Sequence, residues 1–579
     1  MAGNRISNRL MRYFVLATDY DGTIAEEGVV HPNTLKALEK LRQTGRHVVL
    51  VTGRVLPDLM ATFPQYEVFR LIVAENGALL YDPSTKAETI LCEAPSEEFA
   101  KKLAEKGVAP LGQGRVIVET LENQKEAVLD TIQELGLELQ MIFNKGSLMV
   151  LPSGVNKATG LRKALERICL SPHNTVAVGD AENDHAFLSA CERGVSVANG
   201  LPALKERADF VTTEAAGAGV SELVGLLVDA DLASIPAKGD RDTILLGESD
   251  GGEIRVPAYG STLLLAGTSG GGKSTLTTGV MERLRDAEYQ FLAIDPEGDY
   301  QNFDGALVLG DSKRAPTVDE ILAVLEDPKQ SLIANLLGMH LDDRPAFFES
   351  LMPRVQALRS RTGRPHWIIL DEAHHLAPAD RGKSGDALPK DLISAMLITL
   401  EPERLPESVL GAIDTVIAVG EKPGETIRAF CKACELNCPR VPEGPLERGK
   451  ALLWSRTGGA EPRLFAVTAC RTDRVRHSRK YASAELTPDR SFFFKGPQGK
   501  LNLRAPNLIT FVRLLEGVDD ETWLFHLRKG EYSEWFRENI KNDELADAAA
   551  NIEGQTQLPP EQSKGQIKEQ IEQRFTLPG

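Results

Sequence analysis

Short, almost wholly apolar runs recur along the first 225 residues. "YFVLAT" (13–18), "RHVVLVTGR" (46–54), "VFRLIVAENGALLYD" (68–82) and "NTVAVGD" (174–180) have the length and β-branched content of strands buried on both faces. Between them the period changes. "HPNTLKALEKLRQTG" (31–45) places Leu35, Leu38 and Leu41 at helical spacing and ends on Gly, and "AENDHAFLSAC" (181–191) starts another helix. Residues 83–150 interrupt the series with two helix patterns, "SEEFAKKLAEKG" and "NQKEAVLDTIQELG", among the strand patterns "GRVIVET", "LELQMIF" and "SLMVLP". A second series begins at 243 with "TILLGESDGGEIRVPAYG", "STLLLAGTSGGGKSTL" (261–276), "YQFLAIDPEGDYQNF" (289–303), "HWIILDEAHHLAP" (366–378) and "AIDTVIAVG" (412–420). Alternating strands and helices predict α/β units with parallel sheets, whose ligands bind beyond the carboxyl ends of the strands.

Candidate chemistry sits at those ends. Two carboxylates, Asp19 and Asp21, close the first strand, and a buried carboxylate is costly unless a cation meets it. Asp19 can attack phosphorus, and Asp21 can protonate the leaving oxygen and then deprotonate water. Asp180, Asp19 and the backbone carbonyl of Asp21 offer oxygen ligands to a hard cation such as Mg²⁺. Thr52 and Lys157 (in "SGVNKATGL") are candidates for phosphate oxygens. Asn183 and Asp184 are placed to orient Lys157 and the metal site, with Asp184 a further metal-site carboxylate.

The motifs "DYDGT", "VTGR", "NKATGL" and "GDAENDHAF", in that order, resemble the haloacid dehalogenase (HAD) superfamily, in its Cof-like sugar-phosphate phosphatase branch, over residues 13–225. The resemblance implies a HAD Rossmann-like parallel sheet with an α/β cap inserted at 83–150. It also implies Mg²⁺-dependent hydrolysis of a small phosphorylated metabolite, a sugar or polyol phosphate, through an aspartyl phosphate. The bland alternative is a dead phosphatase fold kept as a scaffold, and it would have to explain why every catalytic position is present.

Gly267 to Ser274 fits G-x-x-x-x-G-K-S/T between an apolar strand and a helix start. Gly267, Gly270 and Gly272 would let the loop amides cradle phosphates, with Lys273, Ser274 and Thr275 completing an ATP site and Ser274 holding Mg²⁺. Asp371 would bind the same Mg²⁺ through water, and Glu372 would activate the attacking water. "GTSGGGKS", "DPEGDY" and "ILDEAHH" together resemble the HerA/FtsK-type P-loop ATPases over residues 243–470. That likeness implies a RecA-like α/β ATPase domain, a homo-oligomeric ring as partner arrangement, and an arginine from the neighbour. Arg354, Arg359, Arg361 and Arg364 are the candidates. The segment before the P-loop reads as the remnant of a barrel. Cys431, Cys434 and Cys438 could begin a zinc site, but "ETIRAFCKACEL" also reads as an amphipathic helix that buries its thiols, and that reading is favoured.

Residues 226–242 read as a linker and 471–485 as a basic linker. Residues 486–550 read as a small helical module with Trp523, Leu524, Leu527, Trp535 and Phe536 in its core, and 551–579 as a mobile, Gln-rich tail with one transient helix. A chain of 579 residues fits several domains. The net charge of −17 argues against a protein that coats nucleic acid or anionic membrane, so DNA is a partner not favoured. Seven cysteines in this length are no disulfide framework. No apolar run approaches the ~20 residues of a membrane span, which leads us to expect a cytoplasmic protein. Three functions follow: a bifunctional phosphatase–ATPase, a DNA-translocating machine whose phosphatase acts on nucleotides or nucleic-acid ends, and an ATP-gated assembly scaffold. A lid over the first site favours small substrates over DNA ends.

Overall fold

A computed structural model describes residues 11–574 except 145, 269, 378–391, 457–460, 472–485, 487, 489, 541 and 556. The apolar runs of the first third become one sheet in the order Phe210–Val211, Arg193–Ser196, Thr175–Gly179, Val15–Thr18, His47–Val51, Leu71–Ala74, Leu79–Asp82, Ala87–Ile90. The first six strands are mutually parallel, and the last two are antiparallel additions. Strand alternation divides their side chains between two cores. Leu16, Val48, Leu50, Ile72, Val176 and Val178 pack on helices Pro32–Gln43 and Ala216–Ala230. Val15, Ala17, Val49, Val51 and Ala177 pack on helices Lys157–Arg167 and His185–Ala190. At the start of the first helix, His31 Nδ1 accepts from the Asn33 amide, a capping role.

The insert is a four-stranded antiparallel sheet in the order Leu139–Asn144, Ser147–Pro152, Val118–Leu121, Gly112–Gln113. Helices Glu97–Glu105 and Lys125–Leu135 cover one face through Phe99, Leu103, Val118, Val128, Leu148 and Val150. Met149 and Leu151 on the other face meet Ala78, Val116 and Ile117. The buried Glu75, at φ 51°, ties this insert down: its carboxylate accepts from the amides of Arg115 (2.8 Å), Val116 (2.7 Å) and Ile117 (3.0 Å). The beginning of the expected insert, Ala87–Ile90, instead extends the main sheet.

The helix Ala216–Ala230 runs into the segment read as a linker, because Val220, Leu223, Val224 and Leu227 continue one apolar face. Leu232 also packs on that core, and Arg193 Nη2 pairs with Asp242 at 2.9 Å.

The second series forms an eleven-stranded sheet. Seven parallel strands run Thr415–Val419, Thr262–Gly267, Ala395–Thr399, Trp367–Leu370, Phe291–Asp295, Leu332–Asn335, Leu307–Leu309. Beyond Thr415–Val419 come antiparallel Lys450–Ser455, Arg463–Val467, Thr243–Ser249 and Gly252–Pro257. The segment read as a barrel remnant is thus an edge hairpin of this sheet.

The two halves meet through a buried polar seam. The His173 ring stacks on Tyr289 with centroids 3.7 Å apart, and the Tyr289 hydroxyl donates to Glu192 at 3.0 Å. Glu192 also pairs with Arg12 and, at 2.6 Å, with His173 Nδ1. The Gln290 amide donates to His366 Nδ1 at 2.9 Å, while His366 Nε2 faces Asn174 Oδ1 at 3.1 Å.

After residue 485, the hairpin Phe492–Phe494/Leu503–Ala505 and five helices share one core containing Trp523, Leu527, Trp535 and Phe536. The Gln-rich tail differs from expectation. Pro560–Arg574 is a helix that buries Ile567 and Ile571 in that core, and Trp523 Nε1 donates to Ser563 Oγ at 2.9 Å. One isoleucine pair at i, i+4 outweighs the polar composition around it.

Candidate functional site

Two strand ends and the turn after the second bring Asp19, Asp180 and Asp184 together, all buried, with ligand oxygens within 4.8 Å of one another. Asp180 follows the strand Thr175–Gly179, and the Asp184 carboxylate folds back to accept from the amides of Asp180 (2.8 Å) and Ala181 (2.9 Å). Gly179 permits this, since a Cβ there would lie 2.5 Å from Asp184 Oδ2. Lys157 opens a helix capped by Asn156, whose side chain accepts from the amides of Ala158 and Thr159. That cap aims the lysine inward. Its Nζ bridges Asp19 Oδ1 at 2.6 Å and Asp184 Oδ1 at 2.5 Å, at 1% exposure.

Burial, with Asp184 and Asp180 adding repulsion, pushes the Asp19 carboxyl up to about 7 against the pull of Lys157. The two carboxylates flanking Lys157 outweigh its burial and hold it protonated. Three buried carboxylates against one lysine leave net negative charge, and an all-oxygen donor set fits a hard divalent cation.

Asp21 lies outside this group. Its side chain is 42% exposed and is gripped by Arg54, Nε to Oδ2 at 2.6 Å and Nη2 to Oδ1 at 2.7 Å. Arg54 also pairs with Asp58 at 2.6 Å. Arg54 went unassigned in the sequence although it ends the "VTGR" motif. The Thr52 hydroxyl is buried beside it and accepts from the Arg54 amide at 3.2 Å, leaving its own proton to donate. Asn183 Nδ2 donates to Asn76 Oδ1 at 3.1 Å. The remaining polar atoms, Asn183 Oδ1 and Asn76 Nδ2, are buried without partners, as befits groups that await a ligand.

The cap reaches this loop. A Cβ on Gly53 would lie 3.0 Å from Met149 Cε. Across the cap strands Met149 pairs with Glu119. Burial pushes the Glu119 carboxyl up; Asp58 and Asp21 push the same way, and Ser147 and Arg54 pull against them.

The second crevice lies at the carboxyl end of the larger sheet. Gly267, Gly270 and Gly272 have φ of 149°, 76° and 101°, and a Cβ on Gly267 would collide with the Val419 carbonyl at 2.0 Å. Lys273 Nζ donates to the Gly267 carbonyl at 2.9 Å, and Ser274 Oγ donates to Asp299 Oδ2 at 2.9 Å. Thr275 is exposed. Asp371 and Glu372 are buried at the end of Trp367–Leu370, one strand removed from the glycine loop's own. Glu372 has φ 41°, a strained conformation of the kind that collects at functional sites. Its Oε2 lies 3.5 Å from His374 Nδ1. Asp295 and Asp299 are the two aspartates of the "DPEGDY" motif, to which the sequence reading assigned no role, and burial, Asp299 and Asp371 push Asp295 up to about 7.

The four candidate arginines are engaged elsewhere. Arg354 pairs with Asp319 at 2.7 Å and Arg361 with Glu326 at 2.5 Å. Arg359 donates to the Ile393 carbonyl at 3.0 Å, and Arg364 donates to Gln290 Oε1 and to the Cys169 carbonyl. Arg344, at the start of helix Arg344–Thr362, is buried instead with no partner for its Nε. It lies in the field of Glu297 and Asp295 and acts on His375.

Cys431 is buried, Cys434 half-buried and Cys438 exposed, all as free thiols; among the described residues the one cluster of metal-binding side chains is the aspartate group. Most of the basic stretch 470–482, from 472 on, lies outside the described residues. Among the described residues no helix is long and apolar enough to cross a membrane.

Comparison with known proteins concerns the first half. The haloacid dehalogenase-like hydrolase family matches residues 16–109 and 113–224. A phosphoglycolate phosphatase of Methanothermobacter thermautotrophicus is 31% identical over 215 residues, covering 36% of this chain and 96% of that protein. A phosphoglycolate phosphatase of Methanosarcina acetivorans is 28% identical over 223 residues, 38% of this chain and 97% of that one. Phosphoglycolate phosphatase 2 of Saccharolobus solfataricus is 30% identical over 226 residues, 38% and 93% respectively. Through residues 16–224 the chain belongs to the haloacid dehalogenase-like hydrolases.

Proposed function

We propose that the chain is a Mg²⁺-dependent phosphomonoesterase for a small phosphorylated metabolite, a sugar or polyol phosphate or the phosphoglycolate of its relatives, joined to an ATP-hydrolysing P-loop unit. The observation that carries the first part is Lys157 bridging Asp19 and Asp184, with Asp180 beside them, at the strand ends. Asp19 attacks phosphorus and the ester P–O bond breaks, giving an aspartyl phosphate. Asp21 supplies the proton to the leaving alcohol and then takes one from the water that cleaves the acyl phosphate, so Asp19 is regenerated and inorganic phosphate leaves. Lys157 favours the ionised form of Asp19 against its burial, and Thr52 donates to a phosphate oxygen. Asp19, Asp180, Asp184 and the Asp21 carbonyl would hold Mg²⁺, which supplies charge neutralisation for the dianionic ester.

The P-loop reading rests on the left-handed glycines, the Lys273 ammonium folded against its own loop, and Asp371 and Glu372 across one intervening strand. Lys273 would contact the terminal phosphates, Ser274 and Asp371 the Mg²⁺, and Glu372 the attacking water. Arg344, whose Nε is buried without a partner, is a further candidate to meet a phosphate within one subunit.

Phosphate release by the full chain from a panel of phosphorylated sugars, polyols and acids, with Mg²⁺ and with chelator, tests the phosphatase reading. Release unaffected by chelator would refute it.

A further inference from the structure

The cap face above the catalytic loop is built from Ile142, Asn144, Ser147, Met149, Leu151 and Glu119, which strand alternation and the cross-strand pairs Ile142–Met149 and Glu119–Met149 put on one side. The opposite side is the cap's own core, with Val118, Leu148 and Val150. Met149 fixes which way this face looks, because its Cε nearly touches Gly53 in the "VTGR" loop. Glu119, beside Met149, interacts with Asp21, Arg54 and Asp58 below. Among the described residues this cap face carries no cation. The two cations of the site are already committed, Lys157 to Asp19 and Asp184, and Arg54 to Asp21 and Asp58.

A phosphate group can be balanced by a bound divalent ion, whereas the cap side of the loop presents Glu119 beside Met149. We infer that this phosphatase takes esters whose alcohol part is neutral and hydroxylated, or cationic, and that the Glu119 carboxylate selects against an acidic alcohol. The inference rests on the phosphatase reading and chooses among its substrate classes. A hydroxyl or ammonium donates to the Glu119 oxygens, and Met149 and Ile142 supply apolar contact for the carbon chain. A carboxylate in the same place meets a like charge that no uncommitted cation among the described residues offsets, and like-charge contact is a means of rejecting a wrong ligand.

Three esters of equal length separate the cases: 2-phosphoglycolate, 2-hydroxyethyl phosphate and O-phosphoethanolamine, with p-nitrophenyl phosphate as a reference. The readout is kcat/KM for phosphate release by the full chain with Mg²⁺. If the small esters turn over too slowly, their inhibition constants against the reference give the same ordering. The neutral and cationic esters should exceed the acidic one by roughly tenfold, the scale of one like-charge contact near a protein surface. Glu119→Gln should close most of that gap through KM for the acidic ester, and Glu119→Lys should reverse the order. Circular dichroism melting of both variants shows that they fold. An acidic ester equal to or better than the neutral one in the unmodified protein overturns the inference, as does an order unmoved by either substitution. Failure to hydrolyse even the reference ester overturns the phosphatase reading itself.

Discussion

Lys157→Met tests the heart of the first site. The ammonium lies 2.6 Å from Asp19 Oδ1 and 2.5 Å from Asp184 Oδ1, and is 1% exposed. At an effective dielectric of about 20, opposite charges centred about 3 Å apart attract by about 5 kcal/mol. Burial has already pushed Asp19 up to about 7 with the lysine in place. Losing even a third of that attraction, about 2 kcal/mol, raises the carboxyl by more than one further unit. The shift favours the protonated carboxyl, which is no nucleophile. Methionine keeps much of the volume, so the fold should survive. Phosphate release at saturating Mg²⁺ should fall at least about 100-fold at pH 7, because positioning and charge are lost together. Lys157→Met should also regain activity as pH rises from 7 to 9, since a raised carboxyl ionises only at higher pH. Activity within threefold of the unmodified protein at pH 7 would refute the argument, and so would a loss that does not shrink with rising pH.

Asp19→Asn should abolish phosphatase turnover while leaving ATP hydrolysis intact, measured by phosphate release from each substrate separately. Lys273→Ala should weaken ATP binding and stop its hydrolysis, whereas Glu372→Gln should stop hydrolysis yet retain bound nucleotide; equilibrium binding of a fluorescent ATP analogue distinguishes them. Arg344→Ala should slow ATP hydrolysis by roughly 10-fold or more without loss of fold, since its Nε gives up no hydrogen bond; an unchanged rate would remove it from the site. The seam between the halves should be acid-labile. Burial holds His366 well below its usual 6.5, so its contribution is present above about 6.5 and is lost as pH falls. Glu192, buried but held down to about 2 by His173 and Arg12, loses its contribution as pH falls below its unfolded value of 4.5. The melting temperature should therefore drop between pH 7.5 and 5, and His366→Gln should drop less; equal slopes would contradict the assignment.

The sequence exposed what depends on local pattern. The two sets of parallel strands, Asp19 and Asp180 at strand ends, and the glycine loop before Lys273 all follow from runs of neighbouring residues. What stayed hidden depends on partners distant in sequence. Arg54 reads as the end of a motif until Asp21 is folded against it, and Glu119 reads as a polar strand residue until Met149 fixes which face of the cap looks down. Arg344 was passed over because nothing within its helix marks it, whereas Arg354 and Arg361 drew attention by clustering and prove to be surface pairs. The tail reads as one transient helix, and its docking stays hidden because Ile567 and Ile571 find their core only after the preceding helices have assembled. Composition described the solvent face of that helix correctly and said nothing of the other face.

Glu75 has a mechanical consequence for the cap. The inserted unit leaves the main sheet and returns to it by two covalent crossings, and a body held at two points is free to swing about the line between them. Three hydrogen bonds from backbone amides to one carboxylate add a noncovalent tie, close to those crossings, where Val116 and Ile117 pack with Cys92 and Val155. A Cβ on Gly114 would lie 2.5 Å from that carboxyl carbon, so the loop at residue 114 sits hard against its support. A swing of the insert about its crossings would have to break these three hydrogen bonds together, so a single carboxylate couples the orientation of the cap to the end of the strand Leu71–Ala74.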